Sequence, residues 1–275
     1  MSTAATKPSG EKRTAELSVD LKATPEAVWK ALTDSEELTR WFPLEARVKP
    51  GVGGSIFASW GEGVQWDSPI TIWEPKQRLR VLWCPPNTPE PDLFGVDYFI
   101  EDRGGGVTRL RLVHFGFSKD PQWDGMYDGV SRGWDFMFWM LKSYMQDHQG
   151  TPRRAFFLHK DLPVSKEEAW GKAFGAGGVV EGVRVGELKP GQRFEATVGG
   201  KKVSGTVRVN LAGKDFQAML DVNGGTIMRV QTDPCKAGPG EELSVTLAAY
   251  STDEKVLEPM RAACAARMEE LFGRK

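Results

Sequence analysis

The feature that most constrains this chain is that its two halves repeat one another. Asp20-Leu21, followed by Thr24-Pro25-Glu26-Ala27-Val28-Trp29, returns as Asp161-Leu162, followed by Ser165-Lys166-Glu167-Glu168-Ala169-Trp170. Lys49-Pro50-Gly51 returns as Lys189-Pro190-Gly191. A glycine-rich turn precedes an alternating segment twice, Gly104-Gly105-Gly106 before Val107 to Val113 and Gly238-Pro239-Gly240 before Leu243 to Leu247. Each half then closes in a helical pattern. A sequence that repeats its features in order folds as repeated units. The 275 residues therefore divide into a disordered tail over 1–13, a first domain over 14–150 and a second, diverged domain over 151–275. The boundary falls in the turn-like Gln149-Gly150-Thr151-Pro152.

Both halves read in the same order. A strand (Ala15 to Leu21, Arg154 to Leu162) leads into a capped helix, with Thr24 before Pro25 in one and Ser165 with Glu168 in the other. Asp34 with Glu37 opens a second short helix ending near Trp41-Phe42-Pro43. Short strands follow. Ile56, Ala58 and Trp60 share one face of theirs, and Phe194, Ala196 and Val198 match them in the second half. In Thr108 to Phe115, Leu110, Leu112 and His114 point inward and Arg109 and Arg111 outward, the pattern of antiparallel sheet with one wet face. A helix over Gly133 to His148 carries Trp134, Met137, Phe138, Leu141 and Met145 on one stripe, with Phe136, Trp139 and Met140 on others, so it is buried on more than one side. Beyond its own sheet, the expected neighbour is the second domain, with a partner subunit of a homodimer as the alternative. Leu257, Met260, Cys264, Met268 and Leu271 form the closing stripe of the second half. The fold class is α+β, each sheet needing the long C-terminal helix of its half to cover one face.

The near balance of 36 basic and 37 acidic residues removes the footprint of a general nucleic-acid binder. No apolar run reaches the roughly 20 residues of a membrane span. Three cysteines and three histidines are too few and too scattered for a disulfide framework or a metal knot, so neither metal nor cofactor is expected, and the compartment expected is the reducing cytoplasm. The aromatic content is lopsided. Nine of the ten Trp (Trp29, Trp41, Trp60, Trp66, Trp73, Trp83, Trp123, Trp134, Trp139) precede residue 140, and only Trp170 follows.

The first half resembles the START/polyketide-cyclase-like superfamily, and within it the homologues of the activator of the heat-shock protein 90 ATPase. The residues that carry the likeness are Thr24 to Asp34, Trp41-Phe42-Pro43, Gly53-Gly54, Trp73-Glu74-Pro75 with Arg78-Leu79, Thr108-Arg109-Leu110 running to His114-Phe115-Gly116-Phe117, and Gly129 to Trp134. The second half keeps only the helix start, Lys189-Pro190-Gly191 and the strand-then-helix ending. The resemblance implies tandem helix-grip domains, each a curved antiparallel sheet wrapped around a long C-terminal helix. It also implies an apolar or amphipathic small molecule in the grip cavity.

On that reading the ligand-binding residues are Trp41, Phe42, Trp60, Trp73, Trp83, Phe99, His114, Trp134 and Phe138. A ring-lined cavity of a few hundred cubic ångströms is the functional expectation, and ordinary aromatic core the competing one. The second domain is then structural or interaction-bearing. An alternative is a polyketide-cyclase or hydrolase-like enzyme using His114 as base, which requires an open cavity and a polar partner for it. Another is a co-chaperone-like interaction protein, which requires an exposed apolar patch around Phe136 and Trp139. Arg132 is expected to pair with a carboxylate such as Glu36, Glu37 or Asp135. Gly125 and Gly129 suggest a loop around Asp124 and Asp128.

Overall fold

The computed structural model describes residues 11–61, 63–84, 88–89, 92–235 and 240–273. Most of the expected tail and the Gly238-Pro239 turn lie outside them. Lys12 and Arg13, assigned to the tail from sequence, belong instead to the first strand. Two compact units divide the chain, Met1–Gln149 and Gly150–Lys275.

The first unit runs β1 (Lys12–Leu21), α1 (Pro25–Thr33), α2 (Ser35–Thr39), β2 (Glu45–Lys49), β3 (Ser55–Ser59), β4 (Gln65–Glu74), β5 (Arg78–Leu82), β6 (Gly95–Gly104), β7 (Val107–Ser118) and α3 (Asp124–Asp147). The second runs β8 (Arg153–Leu162), α4 (Lys166–Phe174), β9 (Val180–Glu181), β10 (Arg193–Val198), β11 (Lys201–Leu211), β12 (Asp215–Leu220), β13 (Thr226–Pro234), β14 (Glu241–Tyr250) and α5 (Glu258–Phe272). The sheet orders are β1-β7-β6-β5-β4-β3-β2 and β8-β14-β13-β12-β11-β10-β9, one topology used twice. Each is a seven-stranded antiparallel sheet with a long helix after its last strand, the helix-grip arrangement. Among the described α-helices, α2 has no counterpart.

The caps form as the sequence dictates. Thr24 Oγ1 accepts from the Ala27 amide at 3.2 Å, with Pro25 in the first turn, and Ser165 Oγ accepts from the Glu168 amide at 3.2 Å. Asp34 Oδ1 accepts from the Glu36 and Glu37 amides at 3.0 Å each, starting α2.

The long helix α3 begins at Asp124, nine residues before the sequence pattern suggests. Gly125 and Gly129 lie inside it, not in a loop. Each costs about 1 kcal/mol against Ala in a helix, and contacts to the sheet offset this. The Tyr127 hydroxyl donates to the Thr14 carbonyl at 3.1 Å, its ring meets Phe117 at 5.3 Å, and the Arg13 guanidinium lies 4.3 Å over it.

A bulge sets the register in both sheets. Ile70 faces Val81 and Ile72 faces Arg80, leaving Thr71 as the extra residue. Val207 faces Ala218 and Val209 faces Gln217, leaving Arg208 extra. The Ile70 backbone bonds Gly53 and Gly54 as the Val207 backbone bonds Gly191 and Gln192. Gly53 is therefore the partner in position of Gly191, and the two Lys-Pro-Gly tripeptides are two residues out of structural register. Followed across the strands, the register pairs Ser68 with Gly205, Val81 with Ala218, Tyr98 with Val230 and His114 with Leu247.

The same register brings out a buried ion pair of reversed polarity. In the first unit Asp97 on β6 accepts from Arg78 (3.1 and 3.0 Å) and from Arg80 (3.0 and 2.5 Å), both on β5. In the second unit the acid is on β12 and the base on β13, with Arg229 donating to Asp215 at 2.6–3.2 Å. Asp97→Ala strands two guanidiniums without their shared carboxylate. It should lower the stability of the first unit by about 2–3 kcal/mol, less than the ~3–5 kcal/mol of a fully buried pair because both arginines are partly exposed. Urea unfolding followed by tryptophan emission, which reports almost entirely on the first unit, measures this.

Candidate functional site

The concave face of the first sheet and the helices α1 and α2 enclose one small cavity. Leu32 of α1, Leu38 of α2 and Phe42 cover it. Ile56 and Ala58 of β3, Trp66 and Ser68 of β4, and Leu79 and Val81 of β5 form its floor. Trp83 and Tyr98 complete the wall. No charged side chain lines it. The free space is about 20 Å³, little more than the ~10–15 Å³ that one water needs. That is far smaller than the pocket of a few hundred cubic ångströms expected from the sequence. The lining rings occupy that space themselves.

The rings form a continuous chain. Trp41 stacks on Phe42 (centroids 5.1 Å apart), and Phe42 stacks on Trp134 (5.3 Å) and meets Trp60 edge-on (4.9 Å). Trp60 stacks on Trp66 (4.8 Å), which reaches Trp83 (5.4 Å). The two ends of this chain are held by different numbers of contacts. Trp41 is fully buried and donates through Nε1 to the Ala31 carbonyl at 2.8 Å. Trp134 is pinned by a bond to His114. Phe42, held between them, is a clamped wall. Trp66 contacts only the partly exposed rings of Trp60 and Trp83 among the described ring pairs, on a hairpin whose tip carries Gly61 and Gly63 at positive φ. It is the less tightly held wall.

Of the nine residues singled out from sequence, Phe42 and Trp83 line the cavity. Trp41, Trp60 and Trp134 support those rings from behind. Trp73 packs edge-on against Trp29 of α1 at 4.9 Å, and Phe138 is buried in α3 away from the lining. Phe99 lies on the opposite face of the sheet. Alternation along β6 turns Tyr98 and Ile100 inward, and Phe99 is held outside between Arg78 (5.0 Å) and Arg111 (4.1 Å).

His114 points inward as its alternation predicts, but it is sealed rather than open. It has no solvent exposure, and its ring is enclosed by Trp83 (4.5 Å), Phe117 (4.7 Å) and Phe94 (4.8 Å). Its Nδ1 accepts from Trp134 Nε1 at 2.9 Å. The neutral ring therefore carries its proton on Nε2, which has no hydrogen-bond partner among the described residues. Burial alone pushes its pKa down to about 3. A general base needs access to a substrate proton, and this imidazole instead holds a tryptophan.

Sequence reasoning passed over Ser68 and Tyr98. Both are buried, at 4% and 6% exposure, and both line the cavity. Neither hydroxyl makes a hydrogen bond among the described residues. Burial pushes the Tyr98 pKa up, so its hydroxyl is a neutral donor. The signal available in the sequence was the alternation Trp66, Ser68, Ile70 along β4 and Val96, Tyr98, Ile100 along β6, which puts one polar residue among apolar inward neighbours in each strand.

The remaining candidates are structural. Arg132 bonds Asp128 at 3.1 Å, one turn earlier in α3. Glu37 accepts from Arg40 (2.8 Å) and from the Tyr144 hydroxyl (2.5 Å), tying α2 to α3. Phe136 is buried and meets Trp139 at 6.0 Å. Among the described residues no group of three His, Cys, Asp or Glu is placed to hold a metal ion. No helix there is long and apolar enough to cross a membrane.

Residues 22–146 match the family described as activator of Hsp90 ATPase homolog 1-like protein. No curated protein matches the sequence. Among solved structures the chain is similar to the Aha1 dimer from Colwellia psychrerythraea (21% identity, 50% of this chain and 99% of that one, TM-score 0.43) and to protein MLL2253 from Mesorhizobium loti (26%, 50% and 99%, 0.43). It is also similar along most of its length to BexL, a di-domain ARO/CYC from the BE-7585A biosynthetic pathway (13%, 96% and 99%, 0.43).

The sealed histidine gives the first unit a pH signature. Above pH 6.5 the imidazole is neutral in folded and unfolded chains alike. Between 6.5 and about 3 only the unfolded chain takes up the proton. Stability therefore falls with decreasing pH across that window, by up to about 1.4 kcal/mol per pH unit from this group. His114→Gln, which can still accept from Trp134, should flatten that slope in urea titrations run from pH 7 to pH 4. An unchanged slope would mean that other groups carry it.

Proposed function

From the match of residues 22–146 to the activator of Hsp90 ATPase homolog 1-like family and from the cavity behind Trp66, we propose that the first domain binds a neutral, largely apolar small molecule. The observation that carries the reading is the cavity lining, which is apolar, uncharged and broken only by two hydroxyls. Few polar groups within an apolar wall is the composition of small-molecule sites. Ligand entry requires Trp66 and its hairpin to swing away from Trp83, while Phe42, clamped between Trp41 and Trp134, stays as the fixed side.

The second domain serves as a structural copy. At the position of Ile56 it has Phe194, and at that of Ser68 it has Gly205. A Cβ at 205 would come 2.6 Å from the Met219 carbonyl oxygen and 3.0 Å from the Phe194 ring, so the position admits no side chain. Phe216 stands in place of Leu79 and meets both Phe174 (5.5 Å) and Phe194 (5.7 Å). Larger rings and lost hydroxyls leave that interior to its own side chains. The enzyme reading loses its support with His114 enclosed. The three free thiols, Cys84, Cys235 and Cys264, favour a reducing compartment such as the cytoplasm.

Isothermal titration of the full chain with p-xylene tests this. The expected result is saturable binding of one molecule per chain. Trp66→Ala, which removes the movable wall, should tighten it by roughly tenfold, the order expected when a ligand no longer has to displace a packed ring. No saturable binding to the unaltered protein, or two molecules per chain, would contradict the reading.

A further inference from the structure

An apolar lining explains affinity but not choice, and the two hydroxyls in it are unequal. The register puts Val81 opposite Ile70 on β4 and opposite Val96 on β6. Ser68 lies two residues from Ile70 toward the Trp66 end, and Tyr98 two residues from Val96 in the other direction, opposite Leu79. At about 3.4 Å per residue the two are some 14 Å apart along the strands and two strands apart across them. One small polar group cannot meet both. Ser68 belongs to the mouth, beside Trp66. Tyr98 belongs to the inner end, beside Leu79 and edge-on to Trp134 at 6.1 Å.

Resting on the ligand-binding reading above, we propose that the Tyr98 hydroxyl is the specificity-determining anchor of the site, and that it selects a neutral ligand with a hydroxyl or carbonyl group at the end that enters first. Three observations support this. The side chain is nine-tenths buried and lines the cavity, yet its hydroxyl has no hydrogen-bond partner among the described residues. A hydroxyl that lines the cavity and makes no bond within the protein is free to pair with a ligand group, and that bond adds to binding. No charged residue lines the cavity to compensate an ionised ligand, so the group must be neutral. The position is also one at which the two copies differ. The second domain keeps the strand, register and bulge but has Val230 there, so the hydroxyl is not a requirement of the fold.

The test compares p-cresol with p-xylene, which have the same shape and differ by hydroxyl against methyl. Isothermal titration is run on the full chain, on Tyr98→Phe and on Ser68→Ala. Tyr98→Phe should weaken p-cresol by roughly threefold to tenfold, the range of one neutral hydrogen bond, and leave p-xylene unchanged. Ser68→Ala should leave p-cresol within about twofold, because p-cresol's single hydroxyl engages the inner end. If Tyr98→Phe weakens both probes equally, or neither, Tyr98 does not choose the ligand and the inference fails while binding itself stands. If Ser68→Ala carries the p-cresol loss, the anchor is at the mouth and the inference is overturned. If neither probe binds the unaltered chain, the ligand-binding reading fails and this inference with it.

Discussion

A single extra residue in β4, Thr71, decides what the interior of the first domain contains. Side chains alternate along a strand, so one inserted residue reverses every face beyond it. Because of the bulge, Ile70 opposite Val81 and Trp73 opposite Leu79 both face inward, while Ile72 opposite Arg80 faces out. Without it Trp66, Ser68 and Ile70 could not share a face with Trp73, and the cavity floor and the Trp73–Trp29 contact could not coexist. Arg208 does the same in β11. The conserved geometry between the halves is therefore a register, and residue identities are free to drift around it.

They have drifted in two informative ways. On the outer side the buried ion pair exchanges its charges between neighbouring strands, Arg78–Asp97 in one copy and Asp215–Arg229 in the other. Either polarity closes the same cross-strand contact. On the inner side the first copy puts small or medium side chains at Ile56, Leu79 and Ser68 and spends its large rings around the mouth. The second puts Phe194 and Phe216 at the centre. The same backbone thus gives one interior with two hydroxyls among its apolar side chains, and one with larger rings at its centre.

Much of this architecture is legible in the sequence, because caps and alternation are local. Thr24-Pro25, Asp34 and Ser165 cap the helices they precede, and Leu110, Leu112 and His114 point inward as their spacing requires. What stayed hidden was non-local. Lys49-Pro50-Gly51 and Lys189-Pro190-Gly191 look equivalent but are two residues apart in register, which only strand pairing reveals. The helix α3 runs through Gly125 and Gly129 because Tyr127 packs on Phe117 and Thr14, contacts no local pattern encodes. At the site, residue type misled where position would not have. Tryptophans drew attention to Trp41, Trp73 and Trp134, which support or pack elsewhere. Phe99 was taken by composition, although its neighbours Tyr98 and Ile100 are the inward pair. His114 was read correctly for direction, but the rings that seal it come from Trp83, Phe94 and Phe117, three separate segments.

The central claim is that the first domain's interior, filled by its own rings when empty, opens at Trp66 to admit a neutral ring ending in a polar group. The most direct measurement is a crystal structure of the full chain grown with p-cresol. The account predicts density for one ring between Leu79 and Trp66, its oxygen within hydrogen-bond distance of the Tyr98 hydroxyl, with the Trp66 indole displaced and Phe42 still stacked between Trp41 and Trp134. An interior unchanged from the empty protein, or p-cresol bound within the second domain, would contradict it.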